Sequence, residues 1–251
     1  MLPLKITSTQ HPIVKRFVKL RQDKTFRYSE KSVVIVGKRL VQEISHRFKI
    51  KTLIIDREFP GIVAEKTFFA TPEILKKITS LAEPEGIAAE LPLPEKQSLL
   101  GKKYILVLDK ISDPGNLGTL LRTALALGWE GAFLTPQSAD PFNEKALRAA
   151  KGASFFLPLC EGSYDELDEL IKHNCMMAYV ADLKGHSLHE IQGHSPLALI
   201  LGSESHGPSH WSKQRAIPIS IPMREEIESL NVASAGSILM YQLKHRLKEK
   251  L

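Results

Sequence analysis

The chain has 251 residues, a hydrophobic fraction of 43%, a charged fraction of 25% and a formal net charge of +6, the balance of a globular protein of one large or two modest domains. No apolar run approaches the ~20 residues of a membrane span, and the opening MLPLKITSTQHPIVKRF lacks the apolar stretch and small-residue cleavage site of a secretory signal. Two cysteines, Cys160 and Cys175, are too few for a disulfide scaffold, so a reducing cytoplasm is the expected setting.

The charge is unevenly placed. Residues 1–100 hold 18 Lys+Arg and 11 Asp+Glu, residues 101–251 hold 16 and 17, and residues 1–51 alone hold 13 basic against 3 acidic. This reads either as a polyanion-docking module joined to a neutral second part or as a solvated basic face.

In chain order, His11 to Leu20 has helical apolar spacing through Ile13, Phe17, Val18 and Leu20, with Lys15, Arg16 and Lys19 opposite. KSVVIVG (31–37) reads as a buried strand, RLVQEISHRF as a helix and KTLIID (51–56) as a strand. TFFA (67–70) and GIAAEL (86–91) suggest two more strands around a short helix at 72–80. Residues 1–95 are therefore expected to form a small α/β domain; LPLPEKQSLLGKK (91–103), with two prolines and a glycine, reads as linker, its part outside that domain being 96–103.

A second alternating series follows over 104–251. Strands are expected at 104–109, 131–135, 155–159, 176–182, 197–202 and 218–223. Helices are expected at 116–128, 143–151, SYDELDELIKHN and about 230–248. Continuous apolar strands between helices indicate a mostly parallel sheet covered on both faces, with ligands gathering at the strand carboxyl ends.

Three such ends carry polar residues. The first, LDKISDPGNLGTLLRTA, places Asn116 where an N-cap belongs and turns Arg122 about 140° away from the Leu117 stripe at ~100° per residue. The second, LALILGSESHGPS, is a G-x-E-x-x-G loop holding Gly202, Glu204 and Gly207; it is neither a P-loop nor a Rossmann fingerprint. In the third, PISIPMREEIESLNVASAGSILMYQLKHR, Ser229 is positioned to cap the last helix. Each segment alone also reads as an ordinary capped helix or glycine turn.

Taken together, DPGNLGTLLRTALALG, LILGSESHG and IPM…SLNVASA resemble the three motifs of the SpoU (TrmH) family of RNA 2′-O-ribose methyltransferases in the SPOUT superfamily. DPFNEKALRAAKGASFFLPL resembles the stretch between the family's first two motifs, and residues 1–95 are similar to its ribosomal-protein-like RNA-binding domain. The resemblance implies a deep trefoil knot in the C-terminal domain, which periodicity does not predict and the general rule against knots opposes. It implies S-adenosyl-L-methionine as methyl donor, with Gly202, Ile221 and Leu230 at donor-binding positions. It also implies Asn116, Arg122, Glu204, Ser229 and Asn231 as catalytic residues, structured RNA as substrate (rRNA ahead of tRNA) and a homodimer whose active sites draw on both subunits. No metal is required, because the sulfonium already makes the methyl electrophilic.

Two positions depart from the family pattern. Glu225 stands where a glycine usually follows IPM, and Asn143-Glu144 replaces the usual Asn-Pro. An RNA-binding or ribosome-assembly factor of the same fold without turnover is the alternative; it predicts loss of Arg122 or Asn231, and both are present. A nucleotide-dependent enzyme for small molecules predicts a phosphate loop, which is missing. His186, His189, His194, Cys160 and Cys175 match no standard zinc spacing. Phe68-Phe69 and Phe155-Phe156 read as core, and Arg39 as either solvated or RNA-facing.

Overall fold

The computed structural model describes residues 4–191, 194–224 and 226–245; Glu225 and the expected helix end beyond His245 lie outside the described residues. The chain forms two compact units. One comprises Met1–Glu95 with Phe142–Leu147, the other Lys96–Pro141 with Arg148–Leu251.

The first unit contains β1 (Leu4–Ile6), α1 (Pro12–Gln22), α2 (Lys24–Ser29), β2 (Ser32–Val36), α3 (Lys38–Ser45), β3 (Ile50–Ile55), β4 (Ala64–Ala70), α4 (Pro72–Thr79) and β5 (Ile87–Pro92). Its mixed sheet runs β1-β4-β3-β5-β2, with β5 antiparallel to both β2 and β3. Val14, Phe17 and Leu20 of α1 pack with Ile74 and Ile78 of α4 over Val34, Ile54 and Ala88 of the sheet. Each of these side chains other than Ala88 contributes about 1.5–3 kcal/mol on burial.

Several of this unit's cations have partners within it, buried for Arg27 and at the surface for Arg39 and Lys49. Arg27 is 1% exposed and donates to the carbonyls of Leu20 and Arg21. Arg16 bridges Glu90 and Glu30, Lys49 pairs with Glu65, and Arg39 pairs with Glu43 one helical turn on. Of these, only the buried Arg27 is withdrawn from any ligand.

The rest of the chain contains β6 (Tyr104–Asp109), α5 (Pro114–Ala126), β7 (Gly131–Leu134), α6 (Glu144–Ala150, its first four residues counted with the first unit), α7 (Ala153–Phe156), β8 (Leu159–Glu161), α8 (Tyr164–His173), β9 (Met177–Ser187), β10 (Leu197–Gly202), α9 (His210–Arg215), β11 (Ile217–Ser220) and α10 (Val232–His245). The second unit's six strands are all parallel, in the order β11-β9-β10-β6-β7-β8. Ile105 and Val107 pack with Ala198, Ile200 and the α8 residues Leu167 and Leu170. On the opposite face Gly236 of α10 meets Leu120 of α5 and Leu201 of β10 so closely that an added Cβ would lie 2.5 Å from both side chains. The irregular stretch from Lys96 packs on this unit through Leu99, buried in the same core, and the Gly101 amide donates to Asn174.

The structure departs from the expected elements at several places; the strand expected at 218–223 spans only Ile217–Ser220, and the one expected at 176–182 runs on to Ser187. Residues 153–156 are helical and the strand begins only at Leu159, because a short apolar run does not distinguish the two periods. Asp113, not Asn116, caps α5: its side chain accepts from the Asn116 amide at 2.8 Å, and Pro114 takes the first helical position. Asn231, not Ser229, caps α10, accepting from the amides of Ala233 and Ser234. Glu144 opens α6, at the position where a proline also fits, and Asn143 accepts from the Lys145 amide.

Candidate active site

β6 lies between β7, reached by the next crossover, and β10, reached only after three further strands, so the strand order reverses at its carboxyl end. Such reversals open a crevice between neighbouring connections. Gly202 pairs with Asp109 at this end.

After Gly202 the chain folds back at once. Ser203 bridges Gly207, whose amide donates to the Ser203 carbonyl at 2.8 Å. Gly207 has φ +65°, a left-handed conformation that glycine adopts without strain. At Gly202 an added Cβ would lie 2.5 Å from the Pro208 nitrogen and 2.6 Å from the Gly207 carbonyl carbon. The glycine is thus required by the chain's own return path.

That loop, the irregular segment after β11 and the start of α10 line a cavity of about 790 Å³, within the range of small-molecule sites. Gly202, Glu204, Ile221, Ser229, Leu230 and Asn231 all line it. Asn116 joins them from α5. Its Nδ2 donates to Glu204 Oε1 at 2.7 Å, and its Oδ1 accepts from Asn231 Nδ2 at 3.0 Å. Since Asn231 Oδ1 also caps α10, the Asn231 amide has one fixed orientation: oxygen to the helix, nitrogen to Asn116.

Arg122 stands apart from this cluster. It lies six residues beyond Asn116, a rise of ~9 Å along α5. It is exposed, does not line the cavity and forms no hydrogen bond or ion pair among the described residues.

Residues 181–184 also line the cavity, and sequence reading missed them. β11 pairs with β9 through Pro218↔Val180 and then jumps to Ile219↔His186, so the intervening β9 residues leave the ladder. Asp182 there accepts from the Lys184 amide and faces Lys213 at 3.9 Å. The only hint in the sequence is the polar ending of an otherwise apolar strand.

Residues 103–241 match the model of the SpoU rRNA Methylase family. The chain belongs to that family. An uncharacterized tRNA/rRNA methyltransferase of Synechocystis is 31% identical over 96% of this chain and 93% of its own length. A 23S rRNA (guanosine(2553)-2′-O)-methyltransferase of Bacillus subtilis is 30% identical over 95% of this chain and 98% of its own. The crystal structure of an AdoMet-bound rRNA methyltransferase from Sinorhizobium meliloti superposes with a TM-score of 0.85 at 25% identity, covering 97% of this chain and 98% of that one. In this SpoU-family chain the three motifs meet through the Asn116 side chain, which contacts both of the others.

Proposed function

We propose that this SpoU-family protein transfers a methyl group from S-adenosyl-L-methionine to a ribose 2′-hydroxyl of structured RNA, rRNA ahead of tRNA, as a homodimer in the cytoplasm. The observation that carries the reading is that Asn116 bonds simultaneously to Glu204 and Asn231, which both line the cavity of about 790 Å³. The names of the Bacillus and Sinorhizobium relatives support substrate and donor.

The cavity walls suit the donor's mixed character. Ile221, Leu230 and Leu239 supply apolar surface for a nucleoside, and Asp182, Glu228 and Asn231 supply polar groups for its hydroxyl and charged ends. Gly202, Ile221 and Leu230 would hold it. When bound, it supplies a methyl made electrophilic by positively charged sulfur.

The chain's own residues must orient the ribose and help its hydroxyl lose a proton as the oxygen–carbon bond forms. A guanidinium has a pKa above ~12 and is a poor base. Arg122 therefore acts by donating hydrogen bonds to the developing alkoxide or the adjacent phosphate. Glu204, Asn116 and Asn231 hold the three loops in register, and Ser229 positions the ribose. Because Arg122 stands apart from its own cavity, it is supplied across the dimer by the second protomer. Ile238 and Tyr241 of α10, 40% and 48% exposed, support such a pairing of apolar faces.

Residues 1–95 are assigned to RNA docking, 96–103 to the linker and 104–251 to catalysis, with the family's deep trefoil knot in the last. Exposed Lys15 and Lys19 support the docking role, Lys19 Nζ lying 4.3 Å from the Phe26 ring centroid.

Mapping 2′-O-methyl groups across all RNA of a strain lacking this gene tests the reading. One ribose methyl, present in the parent and restored by the gene, is expected to be missing. A complete methylation map alongside defective ribosomal particles would instead identify an assembly factor without turnover.

A further inference from the structure

Asp109 ends β6, is 1% exposed and has no part in the chemistry above. It forms no ion pair among the described residues, yet both carboxylate oxygens are engaged. Oδ1 accepts from the Tyr164 hydroxyl at 2.6 Å and, more weakly, from Thr135 Oγ1 at 3.4 Å. Oδ2 accepts from the Ser209 amide at 3.1 Å and from Ser212 Oγ at 2.6 Å. Burial pushes the carboxyl pKa up, but the bonds from Ser209, Ser212 and Tyr164 outweigh it and hold the group below its ordinary value.

The placement of these partners matters more than their number. Asp109 is the strand partner of Gly202, where the Glu204 loop leaves the sheet. Its side chain grips Ser209 and Ser212, where the same loop enters α9. One residue thus fixes both ends of the six-residue loop 203–208, four of whose members, Ser203, Glu204, Gly207 and Pro208, line the cavity.

We propose that Asp109 is a positioning residue for methyl-donor binding, its buried carboxylate holding loop 203–208 in the shape that forms one wall of the cavity. This rests on the donor-pocket assignment above. Asp109 touches neither donor nor RNA; it acts through Ser209 and Ser212.

The partners separate positioning from simple stabilisation. Tyr164→Phe and Ser212→Ala each remove one 2.6 Å bond to the same carboxylate, but only Ser212 lies on the helix that receives the loop. Donor affinity of the full chain, measured by calorimetry with S-adenosylmethionine, should fall about fivefold or more in Ser212→Ala and Asp109→Asn, and less than about twofold in Tyr164→Phe. Thermal midpoints should drop by similar amounts in the two partner variants. Donor binding within twofold of wild type in Ser212→Ala overturns the proposal, as does equal weakening by Tyr164→Phe. Should Asp109→Asn fail to fold, the two partner variants decide alone. Wild-type protein that binds no S-adenosylmethionine overturns the pocket assignment itself, and this inference with it.

Discussion

Asn116 and Glu204 are 88 residues apart in sequence and 2.7 Å apart in space, amide nitrogen to carboxylate oxygen. The pairing is available because Asp113 caps α5 and leaves the Asn116 side chain unneeded by the helix. Had Asn116 been the cap, its oxygen would face the α5 amides, not Asn231.

Asn116→Asp should therefore damage the site without damaging the fold. It sets a second carboxylate against Glu204 and removes the donor between them. Methyl transfer to RNA, followed by labelled methyl incorporation, should fall by about 10²-fold or more while the thermal midpoint stays near wild type. Activity within threefold of wild type would show that this amide is incidental.

Arg122→Ala should abolish methyl transfer while calorimetric binding of S-adenosylmethionine survives, since Arg122 does not line the cavity. Mixing this variant with Asn116→Asp tests the shared site. If each active site takes Arg122 from one protomer and Asn116 from the other, heterodimers regain about one intact site in two. No recovery on mixing counts against supply across the dimer.

Gly202→Ala should both destabilise and disable. The new methyl would meet Pro208 and Gly207 backbone within 2.6 Å, and backbone yields less readily than a side-chain tip. A loss of about 1–3 kcal/mol in the denaturant midpoint is expected, together with weaker donor binding. An alanine variant with wild-type stability would contradict the close approach.

A chain lacking residues 1–95 should keep donor binding and lose RNA affinity, and its affinity should depend less steeply on salt. Arg27, buried and bonded to backbone carbonyls, should contribute nothing to that slope. Equal RNA binding with and without these residues refutes the docking role.

Asp109 also sets an acid limit. A carboxyl held below its ordinary pKa contributes stability that is present above the unfolded-state value and lost as pH falls through the folded one. Stability of the wild type should thus decline below about pH 4, and Asp109→Asn should start lower at neutral pH and decline less. Acid unfolding followed by circular dichroism reads both curves; parallel curves would remove Asp109 from the account.

The parallel core was legible because Ile105–Leu108 of β6 and Leu197–Leu201 of β10 are unbroken, buried apolar runs. Two of the three loops were legible because they follow such strands; the third follows β11, which is short and largely exposed, and was legible from its own motif. The caps were misread where two cap-competent residues stand close together, as in Asp113-Pro114-Gly115-Asn116; the proline at the first helical position was the available signal. The Asp109 cluster was not legible at all. Its partners Tyr164 and Ser212 lie 55 and 103 residues away, and no local pattern marks a hydroxyl that will meet a buried carboxylate. The cavity wall at 181–184 was hidden for a related reason: it arises from a register jump between β9 and β11, a property of pairing that one strand's sequence does not carry.

The sheet order has a consequence for biosynthesis. β6 leaves the ribosome first in its unit but ends between β7 and β10, with one flank open until about ninety further residues have been made. Until β10 inserts, an apolar strand edge is exposed to whatever the nascent chain meets, the stage at which non-local parallel pairing is slow and prone to misassociation. On the proposed pocket assignment, donor binding cannot stabilise that intermediate, because the cavity needs Asn231 and the start of α10, which are translated later still.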